Sequence, residues 1–550
     1  MNVTDPLSRS AAYLQAAQRA TRSVEKVSVR TPARFGVRRA FMALGFGTAV
    51  TVIVGFLYLV YGYVFSDGLC CADDAYIAVA AKNLALGAGY AESVSPGGQG
   101  LRLFDPGLST GPTLVLPAAA IIRVFGTTPW APGLATALVT TALLMMIALV
   151  LGRRVGPLRT VFYLVVMLTL MYTLTAGARF VQWYSLLGEV PAAMLTILGV
   201  ALLTWRSGKK RQLAWSFLAL GLAVETKNLA LLGVVPVAVW LLVPLIRSRG
   251  RNARQWTDLG VGAVFFSLPV LLFEAWKLSS LGINGYIANW QEFARFFSIT
   301  GGTAAGGSSG PLVSLVATNS SMLHINYGFG KFQLVLVLVA LGAVVHFYAD
   351  HERRVFCWLL MAAGATHITW FVTSSNGNPR YALIGLLLLA AAAACVVIAQ
   401  PPGVAIAAAI AAVTIAVVPT QTRLFDPVKD AQHRGMFRPT QRVVNLEATA
   451  AFLTKVHHKD PLVGGWWATV ADLQYMLPTV SNFVKVEDVR PGAMQNGRLL
   501  VRNGFWAAFV PSPRFTAWEK TCHEVLLSAP PYLVTQCPQG GASDQRSIPK

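Results

Sequence analysis

Charge is what this 550-residue chain has least of. Only 13% of its residues are charged against 55% hydrophobic, and mean hydropathy is +0.54. Soluble domains carry about twice that charge, so the scarcity excludes a globular soluble enzyme and matches a polytopic membrane protein. Acid is scarcer still: 24 Asp and Glu stand against 45 Lys and Arg, a net charge of +21. Many of the basic residues sit in short clusters between apolar segments, which is the positive-inside pattern, and that excludes a nucleic-acid binder. A cleavable signal peptide is also missing. The first apolar segment is long and follows a polar tail holding Arg19, Arg22, Lys26, Arg30, Arg34, Arg38 and Arg39, so the tail is expected to stay cytoplasmic and the segment to remain as an anchor.

Cysteine is sparse, with six in all. Cys522 and Cys537 can pair on an oxidising outer face, Cys357 and Cys395 read as inert membrane residues, and the adjacent Cys70 and Cys71 read as free thiols or as paired elsewhere. No internal repeat is evident. That counts against the main rival class, a lipid or sugar transporter or flippase, which is built from paired interrupted helices around midplane charges.

What the chain has in abundance is apolar runs near the roughly 20 residues that cross a bilayer. Spans are read at 40–64, 130–151, 160–177, 185–205, 213–228, 229–246, 257–276, 331–348, 355–372, 382–399 and 403–419. Arg153 and Arg154, "WRSGKKR" (205–211), "RSRGRNAR" (247–254) and Arg353 and Arg354 then share the side of the basic tail. The stretch 111–126 is short and interrupted by Pro117, so it is expected to re-enter or lie on the surface. The expected fold is an all-α polytopic bundle of about 11–13 transmembrane helices. It comprises a basic tail (1–39), a membrane domain (40–420) with external loops at 65–129 and 277–330, and a small α/β outer domain at 421–550.

The stretch "GLCCADDAYIAVAAKNL" (68–84) carries the first chemistry. Ile77, Ala80, Ala81 and Leu84 mark one face of a surface helix, with Asp73 and Asp74 at its start. Helix capping accounts for one acid. Consecutive helical residues point about 100° apart, so the other can face a cleft and act as a general base. Glu189, Glu225, Lys227 and Arg380 fall at outer span boundaries on the same face. The plain alternatives are that Glu225 and Lys227 neutralise each other and that Arg380 snorkels to lipid phosphate. Acids and cations together suit a transfer in which a phosphate leaves. Such a transfer requires no metal or other cofactor, although two acids can also hold a divalent ion.

Four segments then resemble, in order, the GT-C integral membrane glycosyltransferases, including relatives of protein mannosyltransferases, lipid A aminoarabinose transferases and mycobacterial arabinofuranosyltransferases. They are "DDAYIAVAAKNLALGAG" (73–89), "GEVPAAMLTILGVALL" (188–203), "LALGLAVETKNLALLGVVP" (218–236) and "NPRYALIGLLLL" (378–389). The resemblance implies surface helices in the first loop, a varied outer C-terminal domain and sugar transfer from a polyprenyl-phosphate donor, such as an undecaprenyl-phosphate sugar, to an envelope lipid, protein or glycan. It implies a multi-pass protein of a bacterial inner membrane whose site faces the periplasm. Asp73 is then the base, with Asp74 assisting or orienting. Lys227, Arg380 and Tyr381 bind the donor phosphate, and Glu189, Tyr76, Arg102 and Asp105 line the cavity. The family's first-loop cation before Pro-Pro-Leu is replaced here by "FDPGLSTGPTLVLP" (104–117), leaving Arg102 or Lys82 as substitutes. A third reading, a non-catalytic scaffold displaying the C-terminal domain, predicts that Asp73 is dispensable.

Overall fold

The computed structural model describes residues 32–92, 101–175, 177–205, 210–247, 253–300, 312–327, 349–399 and 437–456. Beyond these it describes 462–464, 471–477, 483–485, 499–503, 515–516, 519–520, 522 and 524–537. The expected spans 331–348 and 403–419, and the tail up to residue 31, lie outside the described residues. The chain divides into two compact units, Met1–Thr51 and Val52–Lys550, and helix α1 (Pro32–Asp67) runs from the first into the second.

Among the described residues six helices are long and apolar enough to cross a membrane, and three shorter apolar helices accompany them. The centre of the second unit is built on α6 (Glu189–Thr204) and α12 (Leu383–Ala399), whose residues are buried almost all round. Neither helix has a polar face, so each needs neighbours on every side. Small residues let those neighbours approach. A side chain at Gly199 would collide with Leu220 and the Ser216 carbonyl of α7 (Lys210–Thr226), and Ser216 Oγ donates to the Gly199 carbonyl at 2.7 Å. Gly364 of α11 (His351–Ser374) and Gly385 of α12 cross in the same way.

The described residues of the segment expected as the first external loop pack together. The segment holds α2 (Ala72–Ala85), a two-stranded ribbon pairing Ala91–Glu92 with Arg102–Leu103, and α3 (Pro112–Phe125). With 14 residues, α3 is about 21 Å long at 1.5 Å per residue, too short for a hydrocarbon core of about 30 Å, and it packs beside α2. A helix this short agrees with the expected re-entrant or surface-lying segment at 111–126.

The segment 277–330, expected as a loop, differs from that expectation. Helix α9 (Ala253–Thr300) does not stop at residue 276 but continues past a break at Gly282, whose φ of 66° only glycine adopts without strain, and α10 (Leu312–Tyr327) follows. Much of 277–330 is thus helical, and residues 301–311 lie outside the described set. In the C-terminal region α13 (Gln441–Val456) and α14 (Ala471–Met476) accompany a five-stranded mixed sheet, Phe483–Lys485, Leu462–Gly464, Leu499–Asn503, Tyr532–Gln536 and Glu524–Ala529 in spatial order. Cys522 and Cys537 form a disulfide across the last hairpin, while Cys70, Cys71, Cys357 and Cys395 are free.

Candidate active site

The two acids of α2 part company. Asp74 is 2% exposed and accepts the backbone N–H of Cys70 at 2.9 Å and of Leu186 at 2.7 Å. It thereby ties the start of α2 to the segment before α6. Burial raises its pKa to about 6, against the pull of those two bonds. Asp73 has a side chain 43% exposed and meets Arg380 Nη1 at 2.6 Å. The open acid therefore carries the ion pair, and the closed one serves the backbone.

From Arg380 the charges continue in a chain. Arg380 Nε lies 3.3 Å from Glu189 Oε1, the same oxygen lies 3.5 Å from Lys227 Nζ, and Lys227 donates to Ser109 Oγ at 3.0 Å. Glu189 is 1% and Lys227 4% exposed, so their charges meet away from solvent. Two acids and two cations make a neutral set, and burial strengthens each pairing. The participants come from four places in the chain: the first turn of α2, the first residue of α6, the residue after α7 and the 3₁₀ turn Pro379–Ala382.

Local geometry holds each of them. Gly188, with φ 88°, turns the chain into α6 at a point where its neighbours are Thr226 and Thr110. Gly111 sits so close to the Glu225 carbonyl that any side chain would overlap it, and its N–H points to the Thr226 carbonyl at 3.4 Å. That contact brings Ser109 to Lys227. The Arg380 turn is capped by Asn378, whose side chain accepts the Arg380 N–H at 3.1 Å. Tyr327 donates to the Pro379 carbonyl at 2.7 Å, and His367 Nε2 lies 3.0 Å from the Tyr381 carbonyl. The Tyr381 ring lies 5.7 Å from the Arg380 guanidinium carbon and so supports it.

Arg102, Asp105 and Tyr76 form another group. Arg102 pairs with Asp105 at 2.9 Å and with Glu292 of α9, and Tyr76 hydrogen-bonds Asp105, whose pKa burial raises against the opposing pull of Arg102. The adjoining Phe104 has a positive φ of 51°, held by its N–H to the Tyr90 carbonyl at 2.8 Å and by Asn289 donating to its carbonyl at 2.8 Å.

Two alternatives left open by the sequence are narrowed. Lys227 pairs with Glu189 rather than Glu225, whose charged neighbours are Lys277 and Glu274. Lys82 does not replace the absent first-loop cation, because it is fully buried and donates to the carbonyls of Gln474 and Leu477. Ser109 was not singled out from sequence, and its only signal is its place in "LSTGP" beside Gly111.

No family model and no curated protein matches this chain. Solved structures do. ArnT from Cupriavidus metallidurans, bound to undecaprenyl phosphate and in the apo state, is similar at a TM-score of 0.56 and 13% identity, over 89% of this chain and 98% of that one. The oligosaccharyltransferase of Archaeoglobus fulgidus in the apo form is similar at 0.48 and 11% identity, over 82% of this chain and 65% of that one. At such identities the likeness speaks for the fold alone: this chain shares the fold of ArnT.

Proposed function

We propose that this protein is a membrane glycosyltransferase of the GT-C type that moves a sugar from a polyprenyl-phosphate donor to a cell-envelope acceptor at the periplasmic face of a bacterial inner membrane, with inversion. The observation that carries the reading is the chain Asp73–Arg380–Glu189–Lys227, joined by contacts of 2.6, 3.3 and 3.5 Å from segments far apart in sequence. The similar ArnT structure bound to undecaprenyl phosphate supports the choice of donor.

Asp73 takes the proton of an acceptor hydroxyl as that oxygen attacks the anomeric carbon from the side opposite the phosphate. The C–O bond to the phosphate breaks, and its electron pair leaves with the polyprenyl phosphate. Lys227 and Arg380 meet the charge that grows on the leaving group, where fixed cations in a closed site lower the barrier most. The donor phosphate also competes for the guanidinium that holds Asp73, so its arrival frees the base. Ser109 adds a hydroxyl beside Lys227, Tyr381 backs Arg380, and Asp74 orients α2. Arg102, Asp105 and Tyr76 line the cavity. In this reading Lys227 and Arg380 supply the positive charge at the leaving phosphate, and no step is routed through a metal.

The transporter reading fits less well, since these charges cluster at helix ends rather than along a path through the bilayer. The test is mass spectrometry of envelope glycans and polyprenyl-phosphate lipids from cells with and without the protein, paired with transfer by the purified protein in vesicles. The proposal predicts a missing modification, an accumulated lipid-linked sugar and transfer in vitro. Unchanged glycans together with movement of intact lipid-linked sugar between leaflets would replace it with transport.

A further inference from the structure

Helix α2 carries Asp73 in its first turn and Lys82 in its last. Lys82 is fully buried, and its ammonium reaches the carbonyls of Gln474 and of Leu477, the latter at 3.2 Å, at the C-terminal end of α14. Unpaired carbonyls at a helix end attract a cation there. The C-terminal domain also reaches the other end of the segment. Arg442 donates to the Asp67 carbonyl at 2.7 Å and to the Leu69 carbonyl, and the Thr440 N–H donates to Ser66 at 2.9 Å. Tyr475 Oη donates to the Thr128 carbonyl at 2.9 Å, and Ala471 and Tyr475 belong to the same apolar cluster as Tyr76, Ile77 and Leu114. The segment 66–82, which carries Asp73, is therefore held at both ends by the C-terminal region.

A buried lysine is costly, and an apolar side chain of similar length would fill the space without that cost. Burial lowers the Lys82 pKa to about 7, with Glu92 opposing the fall. The charge at this place thus serves something other than packing. We propose that Lys82 and Arg442 are positioning residues through which the C-terminal domain sets Asp73 against Arg380. The proposal rests on Asp73 being the base.

The test uses the full-length protein in lipid nanodiscs, with Lys82→Met, Arg442→Gln and Arg442→Lys. Two readouts are taken: transfer kinetics against the polyprenyl-phosphate sugar, and backbone hydrogen exchange. Since a displacement of 1 Å at a reacting group costs up to about a hundredfold, kcat is expected to fall about ten- to a hundredfold in Lys82→Met and Arg442→Gln while KM for the donor stays within about twofold. Arg442→Lys, which keeps one donated bond, is expected to recover part of the loss. Exchange should quicken for residues 72–85 and stay unchanged for 189–204. Unchanged kcat, or unchanged protection of 72–85 in Lys82→Met, overturns the proposal; so does an equal loss of protection through the whole bundle, which marks a general folding defect. If the wild-type protein transfers no sugar, the functional reading fails on its own account, and the exchange data alone decide the grip.

Discussion

Substitution of Glu189 by Gln perturbs the centre of the site with almost no change of shape. Glu189 Oε1 lies 3.5 Å from Lys227 and 3.3 Å from Arg380, in a residue 1% exposed. At an effective dielectric of about 20, each contact is worth about 5 kcal/mol in gross Coulomb attraction. Burial of the carboxylate offsets much of this, and removing one partner of such a set costs about 3–5 kcal/mol because the others stay buried without it. Glu189→Gln leaves two cations balanced by Asp73 alone. The unliganded protein is therefore expected to melt at lower temperature, while its stabilisation by added undecaprenyl phosphate grows, since an anion now supplies the missing charge. The assay is thermal unfolding of both proteins in the same detergent over a range of undecaprenyl phosphate. An unchanged melting temperature, or a ligand-induced shift no larger than that of the wild type, refutes the electrostatic account of the site.

Further expectations follow from single contacts. Gly111→Ala places a methyl group against the Glu225 carbonyl and should pull Ser109 from Lys227, with an overpacking cost of about 1–3 kcal/mol in unfolding and a raised KM for the donor in steady-state assays. Asp74 has a folded pKa of about 6 against an ordinary 3.8, so folding favours its protonated form relative to the unfolded chain. Its stabilisation is complete below 3.8 and is lost as pH rises through 6, so the melting-temperature advantage of wild type over Asp74→Asn should shrink from pH 4 to pH 7. The Cys522–Cys537 disulfide closes a sequence separation of 15 residues. Loss of a closed loop of that size costs about 3 kcal/mol, so Cys537→Ser should quicken hydrogen exchange in the hairpin 524–536 and leave 189–204 unaffected.

The site was legible in the sequence where charge is rare. Asp73, Glu189, Lys227 and Arg380 stand out because a carboxylate or cation at a span boundary has few reasons to be there. Their partners were harder to assign. Lys227 has Glu225 two residues away, yet those side chains leave the turn in different directions, and Glu189 reaches Lys227 from another helix. The expected capping of α2 by one of the two acids is not found: Asp74 accepts instead from the N–H groups of Cys70 and Leu186, and backbone groups have no sequence signature. The place of Lys82 was hidden for a similar reason: its partners are carbonyls nearly 400 residues away, and carbonyls are the same in every residue. The helical part of 277–330 was hidden because a single glycine, Gly282, bends a helix that hydropathy alone ends at the membrane surface.

The central claim is that Asp73 removes the acceptor proton in a site whose phosphate charge is met by Lys227 and Arg380. Its most direct measurement is sugar transfer by purified Asp73→Asn protein in vesicles, with undecaprenyl phosphate binding measured on the same sample. The account predicts that binding is retained and that kcat falls by about 10²–10⁴, the usual contribution of a general base. Transfer near the wild-type rate would contradict it.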